Sequence, residues 1–208
     1  MYPPPQRPPR PKKRPSHAMS DPRVKVRPLS IPDVKLVRPR KFEDRRGFFS
    51  ETWNQRDLAA AGIDFQPVQD NHSLSVDPGV VRGLHFQIPP FAQAKLVRVL
   101  KGRLFDVALD LRRDSPTFGE YAAVELDAAS WWQLWVPAGF AHGFVTLEPD
   151  TEVFYKVDAF YAPEHDRGIF WADPDLGIDW PLDTSAAVLS DKDKAQPRWA
   201  EVRDSLPF

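Results

Sequence analysis

From Val24 onward the chain runs in short alternating stretches of apolar and polar residues. The alternation predicts strands over 24–29, 34–37, 66–71, 80–85, 95–100, 103–111, 121–126, 131–136, 143–147 and 151–157. Gly, Pro, Asp and Asn separate them at intervals of about ten residues. One stretch has helical character, 54–61, with Asn54 as its N-cap and Gly62 as its stop. Many short strands with few helices define an all-β domain, best fitted by a double-sheet jelly roll. No internal repeat is visible. Beyond Pro163 the pattern changes to Asp, Pro, Gly and Trp, which predicts ordered loop and short helical turns. Burial of Trp171, Trp180 and Trp199 would pin that segment down, and 189–193 would return to the barrel.

Composition narrows the function classes. The 208 residues carry a net charge of −1, which favours neither a nucleic-acid binder nor a polyanion mimic. No run of about 18 apolar residues exists to span a membrane, and the start lacks the apolar core of a signal peptide. There is no cysteine, in keeping with a reducing cytoplasm. Residues 1–20 stand apart: seven prolines and five basic residues with no acid, leaving the remainder at net −6. Such a segment cannot bury apolar surface and is expected to be disordered, with the domain proper spanning 21–208. It reads as a partner-binding arm or, the preferred reading, a dispensable tail or a chain starting at Met19.

Chemistry concentrates in 82–102. His85 lies between Leu84 and Phe86 on a predicted strand, so it faces away from its apolar neighbours. Arg82, Gln87 and Lys95 fall close by. Alone, such a His is more often a satisfied, half-buried residue than a catalyst. A second His, His142, follows a Pro137-x-Gly139 turn in a Pro-x-Gly-x-x-His pattern, which resembles the second motif of cupin jelly rolls. Metal-binding cupins carry His-x-His and a Glu in the first motif; here that element reads His85-Phe86-Gln87, a poor metal site. No catalytic metal or other cofactor is expected. Arg46 and Glu51 sit near one another on a predicted strand or turn, either as a surface ion pair or as an anion-binding Arg with an orienting acid. Tyr155 supplies a phenol on a late strand.

Together these stretches resemble the dTDP-4-dehydrorhamnose 3,5-epimerase family, the nucleotide-sugar branch of the cupins. The likeness runs through 31–35, 46–51, 69–73, 82–87, 94–99, 110–119, 137–144, 155–156 and 189–193. It implies a cupin-type double-stranded β-helix. It also implies epimerisation of dTDP-4-dehydro-6-deoxyglucose at carbons 3 and 5 through an enolate, in rhamnose-type deoxysugar biosynthesis. By residue it implies His85 as general base, Asp193 as its partner, Lys95 as the cation at the ketone oxygen and Tyr155 as the opposite acid. Arg46, Glu51, Gln69, Asn71, Arg82, His142, Asp166 and Lys192 become substrate-binding candidates. Phe48 or Phe49 would stack on the thymine, and Tyr161 would line the sugar pocket. Where the family usually carries Glu, this chain has Asp166. A homodimer with strand exchange through 24–37 is implied, which would carry Arg46 or Glu51 into the partner's site. The alternatives are a single-carbon epimerase of a secondary-metabolite pathway, a non-catalytic sugar-nucleotide binder and a metal-dependent cupin.

Overall fold

The apolar sides of eleven strands close against one another in two antiparallel sheets. The computed structural model describes residues 22–208; the Pro/Arg-rich segment 1–20 lies outside them. In chain order the strands are β1 (Val24–Pro28), β2 (Lys35–Pro39), β3 (Phe42–Asp44), β4 (Gly47–Phe49), β5 (Gln69–Ser75), β6 (Val81–Gln87) and β7 (Lys95–Lys101). They continue with β8 (Arg103–Asp110), β9 (Tyr121–Asp127), β10 (Gln133–Val136), β11 (Phe140–Thr146), β12 (Thr151–Val157) and β13 (Asp166–Gly168). A six-stranded sheet runs β1-β2-β10-β7-β12-β5, a five-stranded sheet runs β13-β6-β11-β8-β9, and β3–β4 form a separate hairpin. The helices are α1 (Gln55–Ala60), α2 (Asp191–Lys194) and α3 (Trp199–Val202).

Three apolar layers hold this arrangement. Between the sheets, Val97, Leu104, Ala108, Leu134, Phe140 and Val153 form the inner core. The outer face of the five-stranded sheet, including Leu84, Phe86 and Leu109, is covered by the C-terminal segment through Trp171, Trp180 and Trp199. The Trp180 indole donates to the Trp171 carbonyl at 2.9 Å, which satisfies its polar end inside that layer. On the six-stranded sheet, Leu58 of α1 with Ile63 and Phe65 covers Val37, Leu96 and Trp135. Because both faces are covered, β11 is buried along its whole length.

The expected jelly roll and the α1 boundaries agree with the structure. Asn54 accepts from the backbone N–H groups of Arg56 and Asp57, as an N-cap should. Several boundaries differ. The strand expected at 66–71 is β5, shifted to Gln69–Ser75, because its inward positions Gln69, Asn71 and Ser73 are polar and line a cavity. The strand expected at 143–147 begins at Phe140. The β3–β4 hairpin falls where a strand or turn was expected around Arg46 and Glu51, and β13 was not foreseen as a strand.

Candidate active site

At one end of the space between the sheets the apolar core gives way to polar groups. β6 supplies two of them through a break in its pairing. Arg82 and His85 are opposite Phe144 and His142 of β11, so β6 has two residues, Gly83 and Leu84, where β11 has only Gly143. Strict alternation would send Arg82 and His85 to opposite faces; the bulge puts both on the inner one. Glycine is required there. Gly83 adopts φ +140°, and a Cβ on it would stand 2.4 Å from the Gly143 Cα.

His85 is held by a carboxylate from far along the chain. Its Nε2 lies 2.5 Å from Asp193 Oδ1. Asp193 sits on α2, capped by Ser190, whose hydroxyl accepts from the Asp193 N–H and donates to Asp193 Oδ2 at 2.7 Å. Burial raises the proton affinity of Asp193, but the bonds from His85, Ser190 and the Gly83 N–H prevail and hold it below the ordinary carboxylate value. With Nε2 engaged by a carboxylate, Nδ1 is the ring nitrogen left for a substrate proton.

Lys95 opens β7 and is buried. Its Nζ donates to the His85 carbonyl at 3.4 Å. Burial pushes its ammonium down to about 8, Asp166 and Asp106 oppose the fall, and Lys192 adds to it. Tyr155 of β12 lines the same space. Burial pushes its phenol above the ordinary value, with Arg82 opposing and Asp166 reinforcing, so it is a neutral donor near pH 7. His142 of β11 places Nε2 2.5 Å from the fully buried Asp106 of β8.

These groups surround two adjoining recesses. One of about 440 Å³ is lined by Arg82, His85, Lys95, His142, Tyr155 and Asp193 among others. The other, about 290 Å³, adds Gln69, Asn71, Tyr161 and Asp166, with Lys192 common to both. Gln69 donates to Asn71 at 2.8 Å and accepts from the Tyr161 N–H at 3.0 Å. The Tyr161 hydroxyl donates to Asp166 at 3.1 Å, and Asp166 is ion-paired with Lys192. Burial disfavours the Lys192 charge, yet its bond to Asp166 prevails and raises its proton affinity. A larger apolar recess of about 540 Å³ lies outside, between β13 and the C-terminal segment, and holds none of His85, Lys95, Tyr155 or Asp193. Among the described residues no three His, Asp or Glu converge as metal ligands.

Ten of the twelve candidate residues therefore meet at one place. Arg46 and Glu51 do not, and they do not pair with each other. Arg46 bonds Asp44 at the hairpin turn, 2.6 Å from Nη2 to Oδ2, and Glu51 meets Arg23 at 3.5 Å. The β3–β4 hairpin projects into solvent with every residue exposed, so both side chains stay outside the cavity of their own chain. Sequence reasoning missed Asp106 and Ser190. Asp106 was detectable as an acid on the apolar face of β8, in line with Leu104 and Ala108.

A cupin-type barrel with a His–carboxylate pair, a buried ammonium and a phenol in its mouth is built for proton transfer next to a carbonyl. A family model described as dTDP-4-dehydrorhamnose 3,5-epimerase matches residues 28–201. Proteins of that name in Sinorhizobium fredii (strain NGR234) and Pseudomonas aeruginosa are 54% and 53% identical to this chain. The alignments cover 86% and 88% of it, and 92% and 100% of the relatives. The crystal structure of dTDP-4-dehydrorhamnose 3,5-epimerase from Bacillus anthracis, with TDP and PPi bound, is 48% identical with a TM-score of 0.81, covering 84% of this chain and 99% of that one. The Legionella pneumophila enzyme in complex with dTDP-4-keto-L-rhamnose is 41% identical with a TM-score of 0.82, covering 88% and 97%. The chain belongs to the dTDP-4-dehydrorhamnose 3,5-epimerase family.

Proposed function

We propose that this chain epimerises dTDP-4-dehydro-6-deoxyglucose at carbons 3 and 5, giving dTDP-4-dehydrorhamnose, with the residues named above in the following roles. The carbon-4 ketone acidifies the hydrogens on both flanking carbons. His85 takes the proton, and the electron pair moves into an enolate whose oxygen faces the Lys95 ammonium. Tyr155 returns a proton from the opposite face; His85 then gives its proton up to solvent and Tyr155 takes one from it, which resets both groups for the second carbon. Asp193 fixes the His85 tautomer and stabilises the imidazolium, as triad carboxylates do. Lys95 stabilises charge that appears only as the bond breaks; such preorganised electrostatics is the largest expected effect. Arg82 and the Asp166–Lys192 pair flank the entrance, where a guanidinium suits diphosphate oxygens. No step uses a cofactor. The observation that carries the reading is the convergence of His85–Asp193, Lys95 and Tyr155 on one cavity.

Incubation with dTDP-4-dehydro-6-deoxyglucose in deuterated water tests it. Deuterium should enter at both carbons. Incorporation at neither carbon overturns the reading, and incorporation at one restricts it to a single-site epimerase.

The active unit is a homodimer. The exposed hairpin with Phe48, Phe49 and Arg46, together with β1 at an open sheet edge, supports entry of this arm into the partner's cavity. β1 pairs with β2, and β2 with β10 of the same chain, so the dimer adds contacts beyond these pairings. Residues 21–208 suffice for activity, and deletion of 1–20 tests that. The lack of cysteine supports a cytoplasmic location, and no described helix is long and apolar enough to cross a membrane.

A further inference from the structure

The cavity holds a second His–carboxylate pair that the scheme above leaves unexplained. His142 and His85 are register partners on adjacent strands. Each has its Nε2 2.5 Å from an Asp oxygen, His85 on Asp193 and His142 on Asp106. The two carboxylates differ in their surroundings. Asp193 has both oxygens engaged, by His85 and Ser190. Asp106 is fully buried on the inner face of β8, between Leu104 and Ala108 of the apolar core, and its Oδ2 has no hydrogen-bond partner among the described residues. A buried carboxylate with one bare oxygen in an apolar layer is costly unless a positive charge stands near it. A neutral acceptor such as Asn would hold the His142 ring as well at lower cost.

The charges around Lys95 show what the negative charge serves. Facing it are His85 and Arg82 of β6, His142 of β11 and Tyr155 of β12. Asp166 of β13, with Lys192 and Asp193 of α2, completes the surroundings. Arg82 and Lys192 are positive. Asp193 is engaged by His85, and Asp166 is ion-paired with Lys192. Asp106 is the acid in this set with a fully buried oxygen that lacks a hydrogen bond, and its field, after that of Asp166, acts on Lys95.

Resting on the epimerase reading, we infer that Asp106 is a positioning residue: it fixes His142 with Nε2–H as donor, and it supplies the buried negative charge that keeps Lys95 an ammonium beside the substrate ketone. The two pairs then divide the labour. Asp193 serves proton removal at His85, and Asp106 serves charge stabilisation at the oxygen.

Asp106→Asn tests this, because it preserves shape and an acceptor for His142 while removing the charge. The variant should bind dTDP with an affinity within about threefold of the wild type, since its pocket shape is unchanged. Its kcat should fall at least about tenfold. The alkaline limb of its rate profile should move down by about one pH unit or more, as expected when an opposite charge is removed from beside a cation. An unchanged kcat and an unchanged alkaline limb overturn the proposal. Nitrogen NMR supplies a readout that needs neither turnover nor the variant. In the wild type, Lys95 should be an ammonium at pH 7, and His142 should carry a proton on Nε2, the nitrogen that faces Asp106. A neutral amine at pH 7, or a His142 protonated only on Nδ1, overturns the proposal. Absence of deuterium exchange in the wild type would instead remove the epimerase reading, and the NMR result would still decide the role of Asp106.

Discussion

His85 and Asp193 are 108 residues apart in the chain and 2.5 Å apart at Nε2 and Oδ1. The contact joins β6, in the middle of the barrel, to α2, a helix of four residues near the end. So short a helix has little stability of its own. Its place is set by Ser190, which caps it and grips the Asp193 carboxylate with the same hydroxyl. Asp193→Asn should keep the fold and lower kcat by about 10²–10⁴, the usual contribution of a positioned general base. Calorimetric binding of dTDP should be unchanged. A variant with wild-type kcat would separate Asp193 from the chemistry.

Lys95 sets activity against stability. In the folded chain its proton affinity falls from 10.5 to about 8, mainly through burial. The unfolded chain therefore holds more protons between about pH 8 and 10.5, so stability rises with pH across that window and the full cost is present below it. That difference corresponds to about 3 kcal/mol. Lys95→Met should therefore raise the thermal midpoint at pH 7 while removing epimerisation. In the wild type, kcat/KM should decline as pH rises through about 8 and the ammonium is lost. A less stable Lys95→Met protein would contradict the desolvation argument.

Much of the barrel was legible because both faces of its central strands are covered. Leu84 and Phe86 bracketing His85, and Asn54 opening α1, follow rules of local spacing. What was illegible has physical causes. In β5 the residues facing inward are Gln69, Asn71, Ser73 and Ser75 while Leu74 faces solvent, which inverts the ordinary pattern because this wall lines a polar cavity. The β3–β4 hairpin buries neither face in its own chain, so alternation carries no inside-outside signal there. The bulge at Gly83 depends on Gly143, 60 residues on, and neither glycine declares the contact by itself. The site residues became readable through resemblance of the whole chain, since the composition of 82–102 alone suited a bland buried His equally well.

Asp110 should govern acid stability. It is buried, and Arg112, Ser115 and Thr117 all donate to it, at 2.7, 2.6 and 2.6 Å on Oδ2. Burial works against its charge, but these bonds prevail and lower its pKa from 3.8 to about 2. A depressed carboxylate contributes stability that is complete above the unfolded value and is lost as pH falls through the folded one. The loss should run from about pH 4 to 2 and amount to about 2 kcal/mol. Denaturant unfolding at pH 6 and pH 2.5 should show this loss in the wild type. Asp110→Asn should be less stable at pH 6 and show a smaller change between the two conditions.

The hairpin aromatics should matter to a partner subunit rather than to their own barrel. Phe48 and Phe49 are 56% and 66% exposed, and Lys41 lies over both the Phe48 and Trp131 rings at 4.4 Å. Replacing both with Ser should leave the thermal midpoint of the barrel within a few degrees, since little surface is uncovered. KM for the dTDP-sugar should rise about tenfold or more if a stacked aromatic is lost. Sedimentation should report a dimer for the wild type. A monomer with an unaltered KM in the double variant would confine each active site to one chain.

Gly83→Ala joins fold and site in one substitution. A Cβ at this position would meet the Gly143 Cα at 2.4 Å and the His142 carbonyl oxygen at 3.0 Å, all of it backbone that cannot swing aside. The φ of +140° adds strain for any residue with a side chain. Relief requires β6 and β11 to separate, and these two strands carry Arg82, His85 and His142. The variant should lose about 3 kcal/mol of stability or more. Its folded fraction should also lose activity beyond that deficit, because restoring regular pairing would turn either Arg82 or His85 out of the cavity. Comparing kcat per folded molecule at 10 °C with the loss in denaturant midpoint separates the two effects. A variant with full kcat once folded would show that the bulge serves packing alone.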